Sequence, residues 1–186
     1  MIGFGVCGSF CTHGAALDAL SRLVDAGHDV LPIVSFTAAH TDTRFGRADA
    51  LLGKLESITG HAPVTTIEDA EPLGPARPLD ALVVCPCTGN TLAKLANAVT
   101  DTPVTMACKT HLRCDRPLLL ALATNDALSG NLSNIGTMCV RKCVFFVPMR
   151  QDDVAKKPHS LVAEFSLLPD ALDAAMENRQ LRPLFL

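Results

Sequence analysis

Five segments of this chain carry no polar side chain: Ile2–Val6, Val30–Val34, Ala81–Val84, Leu118–Ala123 and Val144–Val147. A strand with one face in water alternates apolar and polar residues. Uninterrupted apolar runs of this length belong to strands covered on both faces. The stretches between them have helical spacing instead. Leu17, Leu20, Leu23 and Val24 form one stripe that stops at Gly27, and Ala48, Leu51, Leu52, Leu55 and Ile58 a second that stops at Gly60. Further helices are predicted over 91–98, 103–112, 132–141 and 169–178, the second of these opened by Pro103 with Asp101 or Thr102 as its cap. The alternation predicts an α/β fold, a three-layer, doubly wound parallel sheet, with residues 1–186 as a single domain. Pro32 inside the second strand predicts an irregular ladder. Residues 61–79 hold four prolines and read as loop with one short strand near 64–67, while 149–160 read as a polar stretch of mixed charge.

Composition removes several classes of function. With 48% hydrophobic and 19% charged residues the chain is no disordered tail. A net charge of −3 provides no basic field for phosphodiester backbones, and the absence of Trp and Tyr disfavours a base-stacking platform, so no nucleic acid partner is expected. No apolar run approaches the roughly 20 residues of a membrane span. The opening MIGFGVCGSF has no charged n-region of a signal peptide, and a cytoplasmic location without membrane association is expected. The eight cysteines follow no zinc-knuckle spacing, so reduced thiols with neither metal nor disulfide are expected. Of the pair around Pro86, Cys85 should be inert and Cys87 the more reactive, because helix N–H groups beyond it would lower its pKa.

Ligands of doubly wound sheets gather at the carboxyl ends of strands. Gly3, Gly5 and Gly8 spell GxGxxG, but no strand fits before Gly3, and the second strand ends in Ser35-Phe36-Thr37 without the acid a ribose needs. Gly8-Ser9-Phe10-Cys11-Thr12 reads better as an anion-binding turn, with hydroxyls from Ser9 and Thr12 at the positive end of the next helix. Ser9 or Thr12 serves equally as a plain cap. Ser35 and Thr37 add hydroxyls at the neighbouring strand end. Pro86, Thr88, Asn90 and Thr91 follow the third strand, with more polar groups than one cap needs, and Thr124-Asn125-Asp126 follow the fourth. Polar strand ends converging on one edge predict a pocket for a phosphorylated, planar ligand.

Gly8-Ser9, the Ser35/Thr37 pair and the run Pro86-Cys87-Thr88-Gly89-Asn90-Thr91-Leu92-Ala93-Lys94-Leu95-Ala96 resemble the flavoprotein superfamily of homo-oligomeric flavin-containing cysteine decarboxylases. That group also includes phosphopantothenoylcysteine decarboxylases and flavin prenyltransferases. The resemblance implies a flavoprotein (Rossmann-like) topology and a homo-oligomer, a trimer or a multiple of one. It also implies FMN held by Gly8, Ser9, Phe10, Ser35, Thr37, Pro86, Thr88, Asn90, Thr91 and Thr124. Thr43-Arg44-Phe45-Gly46, Glu71-Pro72-Leu73-Gly74-Pro75, Thr100-Asp101-Thr102-Pro103-Val104, Thr124-Asn125-Asp126-Ala127-Leu128, Gln151-Asp152-Asp153 and Lys156-Lys157-Pro158 are similar to the family of B-type dipicolinate synthase subunits, the smaller of the two proteins that make dipicolinate. This implies work with the other protein, the NAD(P)-binding A-type subunit of dipicolinate synthase. Together they would turn a partly reduced pyridine-dicarboxylate precursor into dipicolinate during sporulation, in the mother-cell cytoplasm. The Ala-Cys-Gly-Asp-like clamp of the decarboxylases is missing, and Pro148-Met149-Arg150-Gln151-Asp152-Asp153 stands in its region. No catalytic histidine carries over; His13, His40 and His61 are candidates by position only.

Oxidising such a precursor needs cations for its carboxylates, a base near the ring and an electron acceptor. Arg44, Lys94, Lys109 and Arg113 are the cations nearest the strand-end loops in sequence. Arg44 is the expected carboxylate receptor because a guanidinium binds bidentately, and Arg44 and Asn90 are the candidate catalytic residues. Three functions remain open: one half of an FMN-using oxidoreductase, a non-catalytic partner stabilising the A-type protein, and a stand-alone FMN-dependent decarboxylase or prenyltransferase.

Overall fold

In the computed structural model, which describes residues 1–186, the first apolar run forms β1 (Ile2–Val6) in the interior of the sheet. A 3-10 turn over Phe10–Thr12 leads into α1 (His13–Asp25), then β2 (Val30–Val34), the short α2 (Phe36–His40), α3 (Ala48–Thr59) and α4 (Ile67–Ala70). There follow β3 (Ala81–Cys87), α5 (Gly89–Ala96), α6 (Pro103–Leu112), β4 (Leu118–Thr124), α7 (Leu132–Cys139) and β5 (Val144–Phe146). An antiparallel pair, β6 (Met149–Arg150) and β7 (Leu161–Ala163), precedes α8 (Leu168–Met176).

Strands β2, β1, β3, β4 and β5 pair in parallel in that order, the doubly wound arrangement expected. Beyond β5 the sheet gains an addition. The tip of β4 pairs with β7 in antiparallel register, Ala123 opposite Val162 and Thr124 opposite Leu161, so the seven-stranded sheet is mixed. The returning segment covers backbone groups that the short β5 would leave bare. It was invisible in the sequence because two- and three-residue strands have no measurable period.

Side chains leave the parallel strands alternately toward two helical layers. Ile2, Phe4, Val6, Val83, Leu119 and Ala121 pack with α1, α3 and α8, whereas Leu31, Ile33, Leu82, Val84, Leu118 and Leu120 pack with α4, α5, α6 and α7. Gly3 and Gly5 face the second layer. A Cβ on Gly5 would lie 3.1 Å from Val104 Cγ1, and one on Gly3 only 2.6 Å from Leu82 Cδ1. The GxGxxG spelling therefore serves close packing of α6 on β1.

Three local expectations change. The ladder at Pro32 is regular, Phe4 standing opposite it; Pro32 sits on the outer strand and its carbonyl accepts from Val64 N at 2.9 Å. The strand expected near 64–67 reduces to a bridge between Ile33 and Val64, and Thr66 caps α4, its Oγ1 accepting from Asp69 N at 3.1 Å. Thr102, not Asp101, caps α6, in a reciprocal box with Thr105. No helix is long and apolar enough to cross a membrane.

Candidate functional site

The chain leaves β1 toward β2 and leaves β3 toward β4, in opposite directions along the sheet, and a crevice opens between their carboxyl ends. A cavity of about 580 Å³ occupies it. Gly8, Ser9 and Thr12 form one wall, Thr88, Gly89 and Asn90 at the start of α5 another, and Thr124, Asn125 and Asp126 after β4 a third. The β6–β7 connection closes the ring with Asp152, Lys157 and Ser160.

Several donors there have no partner inside the chain. Ser9 stands at the cap position of the 3-10 turn but makes no capping hydrogen bond. Asn90 is exposed, with a free carboxamide. Thr88 does cap α5: its Oγ1 accepts from Thr91 N at 3.1 Å, and its carbonyl accepts from Leu92 N at 2.9 Å. The first-turn amides of Gly89 and Asn90 are left free, which makes this helix end a place for an acceptor-rich group. Asp126 is held beside it. One carboxylate oxygen accepts from Thr124 Oγ1 at 2.5 Å and the other from Asn131 Nδ2 at 2.8 Å, while Asn134 Nδ2 donates to Asn131 Oδ1 at 2.9 Å.

Of the residues singled out by sequence, Gly8, Ser9, Thr88, Asn90 and Thr124 line this cavity. The others lie elsewhere. Ser35 is buried and caps α2, its Oγ accepting from Ala38 N at 3.3 Å. Thr37 is exposed beside Gly8, its Cγ2 3.2 Å from where a Gly8 Cβ would stand. Phe10 packs against the His13 ring and faces a smaller cavity of about 140 Å³. Pro86 is buried inside β3. Thr91 turns beneath the floor, where its Oγ1 donates to Cys7 Sγ at 3.2 Å. Arg44 lines neither cavity; it is exposed and lies 4.8 Å over the Phe45 ring.

Lys94 is paired with Asp101 at 2.8 Å, Lys109 faces a separate small cavity with Arg141, and Arg113 ends α6. The half-buried His13 meets the Cys7 carbonyl at 2.8 Å, and burial lowers its pKa. His40 is exposed, and His61 pairs with Asp29 at 2.7 Å. None of these histidines lines the large cavity. Sequence reasoning missed Asp152, Lys157 and Ser160 as wall residues; the blocks around Asp152 and Lys157 carried part of the resemblance, but the return of this charged stretch to β4 could not be read.

The expectation for Cys87 is reversed. Strand β3 runs on past the cis Cys85–Pro86 bond, and Cys87 turns into the apolar layer under α5 and α6. Burial pushes its thiol well above the ordinary value, as it does for Cys85 and Cys108. Burial likewise takes Cys7 up to about 11, against the lowering effect of the Thr91 hydroxyl. Only Cys11 and Cys139 are exposed. Treating native protein with N-ethylmaleimide is expected to label those two, and Cys7, Cys85, Cys87 and Cys108 only after denaturation. Native labelling of Cys87, mapped by peptide mass, would contradict the inward turn of β3.

The flavoprotein family model matches residues 1–156. The B-type dipicolinate synthase subunit of Bacillus subtilis (strain 168) is 45% identical over 183 residues, which cover 98% of this chain and 92% of that protein. The crystal structure of the corresponding B-type dipicolinate synthase subunit from Bacillus halodurans C superposes with a TM-score of 0.91 at 41% identity, covering 100% of this chain and 95% of the other. The FMN-dependent cysteine decarboxylase SpaF is more distant, with a TM-score of 0.67 at 25% identity over 94% of this chain and 95% of its own. With the parallel core and the strand-end crevice described above, these matches place the chain in the flavoprotein family and, within it, in the family of B-type dipicolinate synthase subunits.

Proposed function

We propose that this chain binds FMN in the crevice between β1 and β3. It acts there with the NAD(P)-binding A-type subunit of dipicolinate synthase to oxidise a dihydrodipicolinate-type precursor to dipicolinate during sporulation. The carrying observation is the convergence of unpaired donors, Ser9 Oγ, the Asn90 carboxamide and the Gly89 and Asn90 amides, on a cavity of about 580 Å³. That volume lies within the roughly 300–1,000 Å³ of small-molecule sites. The donor set fits the cofactor: Gly8, Ser9 and the start of α5 suit a phosphate, and Thr124 and Asp126 suit hydroxyl and N–H groups. Bound there, FMN supplies a two-electron acceptor. The chain's own residues bind and orient, and the β6–β7 connection limits access of water.

The names of the relatives support the same reading, since SpaF is FMN-dependent and the Bacillus proteins are called subunits. The decarboxylase alternative is disfavoured because the region Pro148-Met149-Arg150-Gln151-Asp152-Asp153 holds no cysteine and no Ala-Cys-Gly-Asp-like clamp. The single sheet drawing strands from Ile2 to Ala163 supports reading residues 1–186 as one domain. A cytoplasmic homo-oligomer, a trimer or a multiple of one, completes the proposal. Val140 at 86%, Val154 at 65% and Phe185 at 56% exposure are apolar surface such an assembly would cover.

The test is titration of the purified chain with FMN, followed by flavin fluorescence, and assay of the chain alone and mixed with its A-type partner. The Ser9→Ala/Asn90→Ala double variant is expected to melt normally but to bind FMN more weakly, by roughly 1–3 kcal/mol for each lost bond. Activity only in the mixture supports the two-protein reading. Full activity of a mixture in which neither protein binds flavin would show the chain to be a non-catalytic partner.

A further inference from the structure

Lys157 is the one cation among the residues lining the large cavity. Its ammonium pairs with Asp152 on the same connection, and both side chains are exposed, 53% and 38%. The backbone around the lysine is fixed. Asp153 Oδ1 accepts from Ala155 N at 3.1 Å and Lys156 N at 2.9 Å, and Lys157 N donates to the Asp153 carbonyl at 2.7 Å. Gln151 Nε2 closes the loop on the Pro158 carbonyl at 3.0 Å. Ser160 Oγ donates to the Thr124 carbonyl at 3.3 Å and Leu128 N to the His159 carbonyl at 2.9 Å, which ties the loop to the end of β4. The flexible lysine side chain is thus hung from a rigid frame at the cavity rim.

The charges of the remaining wall offer an anion nothing comparable. Asp126 is a carboxyl group with both oxygens already hydrogen-bonded, and the rest of the wall apart from Asp152 and Lys157 itself is made of uncharged residues. A carboxylate entering a partly dry cavity needs a full positive charge beside it. Exposed lysine–carboxylate pairs contribute little, so exchanging one carboxylate partner for another is easy.

We propose that Lys157 is the carboxylate receptor of the site. It leaves Asp152 and takes one carboxylate of the pyridine-dicarboxylate ligand, and Asp152 is a built-in competitor that holds the ammonium at the rim until the ligand arrives. This assignment rests on the substrate class proposed above and replaces Arg44 in that role. It predicts opposite signs for the two partners of one ion pair, which a merely structural bridge does not produce.

The probe is pyridine-2,6-dicarboxylate, titrated calorimetrically at low ionic strength into the full chain saturated with FMN, with FMN affinity measured separately. Lys157→Ala is expected to weaken dicarboxylate binding by roughly tenfold or more, and Lys157→Arg to retain it. Asp152→Asn is expected to tighten it by roughly two- to fivefold. Loss in both Lys157→Ala and Asp152→Asn would make the pair a strut and overturn the proposal. So would equal affinity in all variants. Weaker FMN binding with unchanged dicarboxylate binding in Lys157→Ala would assign the lysine to a phosphate and overturn it too. A wild-type protein that binds FMN but no dicarboxylate would remove the substrate reading, and the receptor role with it.

Discussion

Gly89→Ala is expected to destroy the ligand site and to lower stability at the same time. A Cβ there would lie 2.5 Å from both Thr124 Oγ1 and Asn131 Nδ2 and 2.8 Å from Asp126 Oδ1. These atoms are not idle chain ends. They form the hydrogen-bonded cluster that presses the β4 loop against the first turn of α5. Making room for one methyl group separates the two walls and misplaces the free Gly89 and Asn90 amides. Overpacking of this kind costs about 1–3 kcal/mol of stability. FMN affinity should fall further, by roughly 100-fold, about 2.7 kcal/mol. Gly53→Ala and Gly136→Ala are the controls: both glycines are inside helices, and an added Cβ meets nothing within 4 Å. Those changes should raise stability by about 0.5–1 kcal/mol and leave FMN binding unchanged. Normal flavin affinity in Gly89→Ala would show that the ligand does not use the start of α5.

Phe4→Ala should produce the largest loss of stability, about 3–5 kcal/mol. Phe4 is fully buried, and its ring fills the layer between β1 and the helices α1 and α8. Its neighbours in the strand, Gly3 and Gly5, put no side chain on either face, so the ring is the largest group by which β1 is gripped. Flanking strands β2 and β3 are held in register on both sides and cannot close over the hole. The check is a urea midpoint shift at unchanged slope. A loss under about 1 kcal/mol would mean that the helical layer collapses onto the strand.

The parallel core was legible because each of its strands is uniformly apolar and each covering helix carries a stripe, two signals local to short windows. The same local signals placed Gly8, Ser9, Thr88, Asn90 and Thr124 at strand ends, where the cavity lies. What could not be read was anything decided by where a side chain turns within a correctly placed element. Thr91 and Cys87 sit in the right segment but face downward, because β3 continues to Cys87 and α5 starts at Gly89. Arg44 is close to the second strand in sequence, yet its turn projects outward. Lys157 and Asp152 reach the site through the antiparallel return between β6 and β7, which has no periodicity of its own.

That return also sets a time scale. β7 is joined to β4 through only two residue pairs and to β6 through two more, whereas β1, β3 and β4 are embedded among parallel neighbours. A ladder held by so few backbone pairs opens more often than the core unfolds, even though Met149, Leu161 and Ala163 are buried. The fourth wall of the cavity is therefore expected to swing as one unit, its loop frame intact, while the parallel sheet stays closed, and under the proposed function that opening would set how long a ligand stays. Changes at the buried ladder residues Met149, Leu161 or Ala163 would then alter how quickly a ligand leaves without touching Lys157, Asp152 or the groups at the ends of β1, β3 and β4.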